Sequence, residues 1–507
     1  MATVKIDRFG GVVPRVHPAL LPDGMAVAAH NCRLKSGKLV PLREPSAVDA
    51  GAHTVYHENG LSSIGDANSV FCWKHTLSGG EVRTDFLAFP GRVYFAHGNI
   101  ADDERDRIFA TGETGMSFDT AGGETKEDCP AAYLFDRATG AMDRHCICKE
   151  PMSAPRCSVS SSPEGVPLDS DAYFFLSWFD KYGYESPVSE PSTNDNDGQG
   201  GYSDKPLRYA NGSVVAFQPV NVPSGAAGVR VYKTNSGDQS AQIQFLREFS
   251  APELERLKSV FYVGVDDQQA GEVMPEIEAP PFDLIDMSYV PGNFYAARAR
   301  SMPHTVLFSD VDNPTNWPFG YRYDVRDNVV KLAVTANSVF ALTDGTPYVL
   351  SGTAPESMTV ASLASVAACV SERSVVVYRN VVYFASNEGL FAVADGAESG
   401  TSCTNITEQY MTKEQWQALN PASCIMAAHD GALHMFFTRR DPATGEASGK
   451  ALVFDLTEGA NALTTHDEVA TCLCTDGRSD DLYFVRAVPE DAPAPQEDEG
   501  ETQGEGA

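Results

Sequence analysis

The residue types able to do chemistry are present, but their spacing does not suit it. Asp310, Asp312, Asp324 and Asp327 fall in and around SDVDNPTNWPFGYRYDV, a carboxylate density compatible with a calcium site or an acid–base pair. A calcium loop of the EF-hand type needs oxygen ligands at alternating positions, a glycine at the sixth place and a glutamate at the twelfth, and this stretch has neither of the last two. The expectation is therefore a structural turn with Trp317 packed on a sheet. His57 lies near Cys72 and Asp85 in sequence, but nothing except that proximity supports a nucleophile–base pair, and His17 and His53 are equally dispersed. The 11 cysteines include two Cys-x-Cys pairs, Cys146 with Cys148 and Cys472 with Cys474. Zinc sites favour Cys-x-x-Cys, whereas residues two apart in a strand share a face, so both pairs read as core packing. The sequence lacks a Gly-x-Ser-x-Gly elbow, a P-loop, a dinucleotide fingerprint and a His-Glu-x-x-His motif. Asn211 and Asn405 match the glycosylation sequon, which carries no meaning without an export signal. No catalytic, cofactor or metal site is expected, and the chain reads as a non-enzyme.

Charge narrows the partners. Lys and Arg total 38 against 69 Asp and Glu, a net −31 over 507 residues. Phosphate binding needs clustered cations, so a protein that grips nucleic acid or an anionic membrane over most of its surface is disfavoured. The N-terminus has no apolar run of signal length, and no uncharged stretch reaches the roughly 18 residues of a membrane helix. Synthesis in a cytosol and a soluble product are expected.

The elements that would position any site are short strands. SVFALT (338–343) turns at Asp344-Gly345 into PYVL, a hairpin in which glycine eases the tight reversal. NVVYFAS turns at Asn387-Glu388-Gly389 into LFAVAD, and LHMFFTRR turns through Asp441-Pro442 to Gly445 before ALVFDL. Glycines 345, 389 and 445 thus recur near the 40 to 50 residue period of propeller blades. The pattern also appears at 85–96 (DFLAFPGRVYFA), 132–140 (AYLFDRATG) and 481–488 (DLYFVRAV). Between these stretches AYFFLSWF, SVVAFQPV, VRVYKTN and QIQFLREF are separated by long polar turns, which suggests a small β-sandwich. NDNDGQGGYSDKP (194–206) reads as a mobile loop, and APELERLKSVF (251–261) is the best helical candidate. The last residues are acidic and lack aromatics, so they should be disordered. The expected class is all-β: a β-propeller with an inserted fibronectin-like β-sandwich and a disordered acidic C-terminal tail. The boundaries are an N-terminal arm with the first propeller strands (1–155), the insert (156–280), the main blades (281–488) and the tail (489–507).

Three regions carry a resemblance. FGGVVPRVHPALLPDGMAVAAHNCRLKSGKLVPLREP (9–45), with Gly10-Gly11, Pro14, Pro18, Ala26 to Asn31 and Gly37-Lys38-Leu39, resembles the opening of short-tailed bacteriophage tail nozzle, or tail tubular B-like, proteins. LFSDVDNPTNWP (307–318), followed by ALTDGTPYVLSG and YFASNEGLFAV, is similar to propeller-bearing phage virion proteins, and YFFLSWFDKYGYESPVSEPS with GVRVYKTN looks like the insert some of them carry. What the resemblance implies is a structural virion protein of the tail. It would form a ring with itself, a homohexamer, below the portal and adaptor proteins and near tail fibres or spikes. Genomic DNA would pass through the ring during ejection without specific binding. The alternative is a propeller adhesin that binds or cleaves host carbohydrate. Acidic clusters at Asp102-Asp103-Glu104, Asp266-Asp267 and Asp480-Asp481 are candidates for lining the channel.

Overall fold

In the computed structural model, side chains are described for residues 9–42 except 36–37, for 45–46, and for most of 147–486. Between 69 and 146 the description covers strand backbone, and 268–270, 365, 397–399, 441–446, 457–461, 467, 469 and 476–480 lie outside it. The expected acidic tail, 489–507, also lies outside the described residues.

The fold is an all-β propeller with an inserted β-sandwich. Four antiparallel four-stranded sheets follow one another in sequence. Blade I comprises Leu284–Val290, Phe294–Ala299, Met302–Phe308 and Arg322–Asp324. Blade II comprises Val329–Val334, Ser338–Thr343, Tyr348–Ser351 and Thr359–Ser362. Blade III comprises Val376–Tyr378, Val381–Ala385, Leu390–Gly396 and Gly400–Asn405. Blade IV comprises Ile425–His429, Ala432–Arg440, Ala447–Asp455 and Ala462–His466. The first strands of these blades touch in order, and the circuit continues through Ala470–Thr475, Ser69–Thr76 and Val93–Gly98 back to Leu284–Val290. Strands from the two ends of the chain therefore meet and close the ring.

Period-two patterning explains why the blades stack. Every residue of Ser338–Thr343 is buried. Val339 and Ala341 face blade I, in a core with Phe294, Val306 and Phe308. Phe340 and Leu342 face blade III, in a core with Val382, Phe384 and Phe391. A strand buried on both faces reads as a mostly apolar run, and each buried Val, Phe or Leu in it contributes about 1.5–3 kcal/mol.

The turn glycines sit where the repeat places them, between the second and third strands of blades II and III; Gly445 lies outside the described residues. A Cβ on Gly345 would lie 2.4 Å from the Asp327 carboxyl carbon, and that carboxylate accepts a hydrogen bond from the Thr346 N–H at 3.0 Å. Blade I makes the same reversal at Arg300-Ser301 without glycine, because the Asp283 carboxylate accepts from both the N–H and the hydroxyl of Ser301.

The insert has its own core. One sheet holds Thr193–Asp195, Arg156–Ser161, Val214–Phe217 and Phe261–Gly264, and the other holds Phe174–Phe179, Gly228–Thr234 and Ile243–Ser250. Phe217 stacks on Phe261 at 5.0 Å, and Phe249 meets Phe261 edge-on at 5.3 Å. The connecting segment is anchored at both ends: Ile147 packs into the core of blade I and Met152 into that of the insert. Between them the buried Lys149 pairs with Asp180 at 2.6 Å and lies over Trp178.

Two local expectations are corrected. The segment expected as a helix forms a 3-10 helix at Ala251–Lys258, and Phe261 begins a strand, since eight residues opening with Ala-Pro are too few for a stable α-helix. The polar stretch 194–206 has defined partners. Asp195 accepts from the N–H groups of Gly198 and Gly200, both at 2.8 Å, and Asn194 donates to the Lys205 carbonyl at 2.8 Å. Short polar side chains here replace the apolar anchors the segment lacks.

Candidate interaction site at the docked N-terminal arm

The stretch at residues 9–42 is laid along the outer edge of blade IV. Isolated parallel bridges join Gly11 to Leu463 and His30 to Thr465. Val12 N–H donates to the Leu463 carbonyl at 2.8 Å, Asn31 N–H to the Thr465 carbonyl at 2.9 Å, and Thr465 N–H to the Ala29 carbonyl at 3.0 Å. These are groups that an edge strand otherwise leaves open. Val12, Val13 and Ala29 are buried in one core with Leu433, Met435, Phe454, Leu463 and Trp416, and Leu34 is buried as well.

The arm's composition follows from this contact. Gly11 has φ +84°, and a Cβ there would meet the Leu463 carbonyl oxygen at 2.5 Å, so both conformation and space require glycine. Pro14 bends the chain away while its carbonyl accepts from the Gln415 amide at 2.9 Å, and Arg15 N–H donates to the Tyr410 carbonyl at 2.8 Å. Gln415 belongs to the short α-helix Lys413–Gln417, which is started by a reciprocal capping box with Thr412. Pro18 begins a single 3-10 turn, Pro18–Leu20. Beyond Asn31, Cys32–Lys35 pairs with Lys38–Pro41 as a hairpin. Arg33 and Lys35 both bind Asp430, at 2.8 and 2.9 Å, and those contacts, Lys35 foremost, hold the Asp430 carboxyl below its usual range. The turn at 36–37 lies outside the described residues. All four residues of Lys38–Pro41 are exposed.

The other residues singled out from sequence take separate places. Asp310 accepts from Val311 N–H and the Asn316 amide, Asp324 from the Thr305 hydroxyl, and Asp327 caps a blade II turn. Asp312 sits at φ +58° with its N–H on the Asn293 carbonyl. Trp317 is buried against Leu284, Tyr295 and Leu307, with its indole N–H on the Pro314 carbonyl at 2.8 Å. Cys148 and Cys472 are buried, while the side chains of Cys146, Cys474, Cys72 and Asp85 lie outside the described residues, as do His53 and His57. His17 is exposed and accepts from Ala19 N–H. Asp266 and Asp267 belong to the insert, where Asp267 binds Lys233, Tyr209 and Ser170. Asp102, Asp103, Glu104 and Asp480 lie outside the described residues. Among the described residues, no group of three or more His, Cys, Asp or Glu could hold a metal ion.

Two polar clusters escaped sequence reasoning. Asp286, fully buried at a bulge in blade I with φ +57°, binds Lys331, accepts from Leu332 N–H at 2.7 Å and pairs with Arg298 at 3.3 Å. Arg298 also binds Glu372 at 2.8 Å. The chain of charges links blade I to blade II and to the turn entering blade III, and its signs balance. Desolvation lowers the Lys331 pKa to about 8. Its sequence signal was an aspartate inside the apolar run LIDMSYV. On blade IV, His434 is buried beside His429 at 5.6 Å, and burial, with the nearby charges of His429, Arg33 and His466, lowers its pKa to about 3. His466 packs edge-on against Phe436 at 5.5 Å on the same sheet face.

No family model matches the sequence. No curated protein matches it. Among solved structures, the chain is similar to Kluyveromyces lactis Hsv2 with its complete loop 6CD, at 9% identity over 46% of this chain and 71% of that chain, TM-score 0.21. It is also similar to the WD40 domain of SCAP from fission yeast, at 7% identity over 71% of this chain and 82% of that chain, TM-score 0.22.

Proposed function

We propose that this chain is a structural, non-enzymatic subunit of a short-tailed phage tail nozzle, one of six copies in a ring that closes the distal tail channel and passes DNA during ejection. The observation that carries the reading is the arm. Gly10, Gly11, Pro14 and the Ala26 to Asn31 segment, which bear the resemblance, serve to seal the edge of blade IV and to present an exposed hairpin. Residues with that duty suit a body that meets other bodies, and among the described residues none of the charged clusters offers an open acid–base pair.

The charge supports the same reading. Six copies carry six times −31, or −186. A basic wall would hold duplex DNA through counterion release, and an acidic assembly avoids that hold. The balanced charges of Asp286, Glu372, Arg298 and Lys331 join blades to one another, so the excess negative charge resides elsewhere.

Negative-stain images of the purified protein, and of phage particles labelled with antibody against it, test the proposal. Rings with a central channel and label at the distal tail are expected. Monomers retained on a glycan column would instead favour the adhesin.

A further inference from the structure

The arm hairpin and one patch on blade I complement each other in charge and polarity, and they are different surfaces of one molecule. On the hairpin, Leu39 is 54% and Val40 38% exposed, beside the exposed Lys38. Over residues 9–46 the basic residues Arg15, Arg33, Lys35, Lys38 and Arg43 outnumber Asp23 and Glu44, a local excess of cations in a chain of net −31. Arg33 and Lys35 are engaged by Asp430, which leaves Lys38 as the cation next to the two apolar side chains.

The second surface lies on the loop after the third strand of blade I. Phe319 is 70% and Val311 42% exposed. Glu278 accepts from Phe319 N–H, and Arg322 stacks over the Phe319 ring at 4.8 Å. Asp310 and Glu356 both act on Tyr321, whose pKa rises through burial first and these two charges next. Asp312, adjacent to Val311, is exposed. Val311 and Phe319 are the exposed apolar residues of this loop, with Asp312 next to the first in sequence and Glu278 bonded to the second, and the Tyr323 hydroxyl just beyond them donates to the Pro355 carbonyl of the Pro355–Ser357 turn of blade II at 2.8 Å.

We infer that the hairpin of one copy docks on the Val311/Phe319 patch of a second copy of this chain, with Leu39 and Val40 against Phe319 and Lys38 among the carboxylates. The inference rests on the ring reading and names its interface. Because the two surfaces differ, the contact is heterologous, and repetition by a closing rotation gives a ring. The exposed strand Lys38–Pro41 offers two apolar residues for contact, and its lysine discourages indiscriminate edge pairing. Its ionic part weakens with salt, since surface charges are screened over about 8 Å at physiological ionic strength.

The test uses two full-length variants, L39D/V40D and V311D/F319D, measured by sedimentation beside the unaltered protein, with folding followed by circular dichroism and thermal melting. The expected result is a high-mass wild type, a monomer for each variant, and a one-to-one heterodimer that grows no further when the two are mixed, because each retains one half of the contact. A wild-type ring with either variant still assembled overturns the inference and leaves the ring reading standing. Monomeric variants that give no heterodimer on mixing also overturn the pairing. A monomeric wild type overturns the ring reading and this contact together. Should L39D/V40D melt early, K38E reads the same surface: it is expected to weaken assembly at least tenfold and to be restored by D312K, and unchanged assembly of K38E overturns the ionic contact.

Discussion

The outer strands of blades IV and II hold equivalent positions in the ring and meet opposite surroundings. Ala462–His466 is almost wholly buried, with the N-terminal arm hydrogen-bonded along it, whereas Thr359–Ser362 is exposed at every residue. Composition follows the surroundings. The covered strand carries Ala462 and Leu463 into the core, and the bare one offers Thr359, Val360, Ala361 and Ser362 to water. An outer strand of this propeller is thus core or surface according to what lies along it, and on blade IV the covering segment comes from the far end of the chain. That coupling ties the exposed hairpin to the body.

The largest effect is expected away from both edges and sets the baseline for them. Asp286→Ala removes the carboxylate shared by Lys331, Arg298 and Leu332 N–H and leaves two cations with Glu372 alone, and breaking such a buried pair costs about 3–5 kcal/mol. Chemical denaturation should show that loss together with blades I and II opening. Gly11→Val attacks the covered edge itself. Forcing a branched residue to positive φ against the Leu463 carbonyl should cost about 2–3 kcal/mol, with faster hydrogen exchange at the Thr465 amide and little change in the insert.

Acid should also act on blade IV. His434 has a folded pKa of about 3 against an ordinary 6.5, so it is neutral in the native protein. Its contribution is complete above pH 6.5 and declines as the pH falls from there toward 3, because the unfolded chain binds the proton first. Melting temperature measured across that window should fall more steeply for the unaltered protein than for His434→Leu. The smallest effect belongs to the bare edge: Val360→Lys should change stability by less than about 0.5 kcal/mol, and a larger loss would show that this strand has a partner.

Much of the ring was legible because its signals are local. The hairpins at Gly345 and Gly389 announce themselves through alternating apolar residues and a turn glycine, and both fall between second and third blade strands. Blade I hid its turn, since no glycine marks it and the Asp283 carboxylate holds Ser301 there. The arm's docking was not legible. Single parallel bridges at Gly11 and His30 impose no periodicity, and their partners lie more than 400 residues away. The Asp286 network shares that difficulty, because Asp286, Arg298, Lys331 and Glu372 converge only after three blades are stacked. The aspartates near Trp317 were visible from the start, but the exposure of Phe319 and Val311 on the same loop is a property of the fold.

The central claim is that this chain assembles with itself, and its mass in solution tests that most directly. Sedimentation equilibrium of the full-length protein at physiological salt should give about six times the 54.6 kDa of one chain, falling toward one chain as salt is raised. A single species of 54.6 kDa at every concentration and salt would contradict the account.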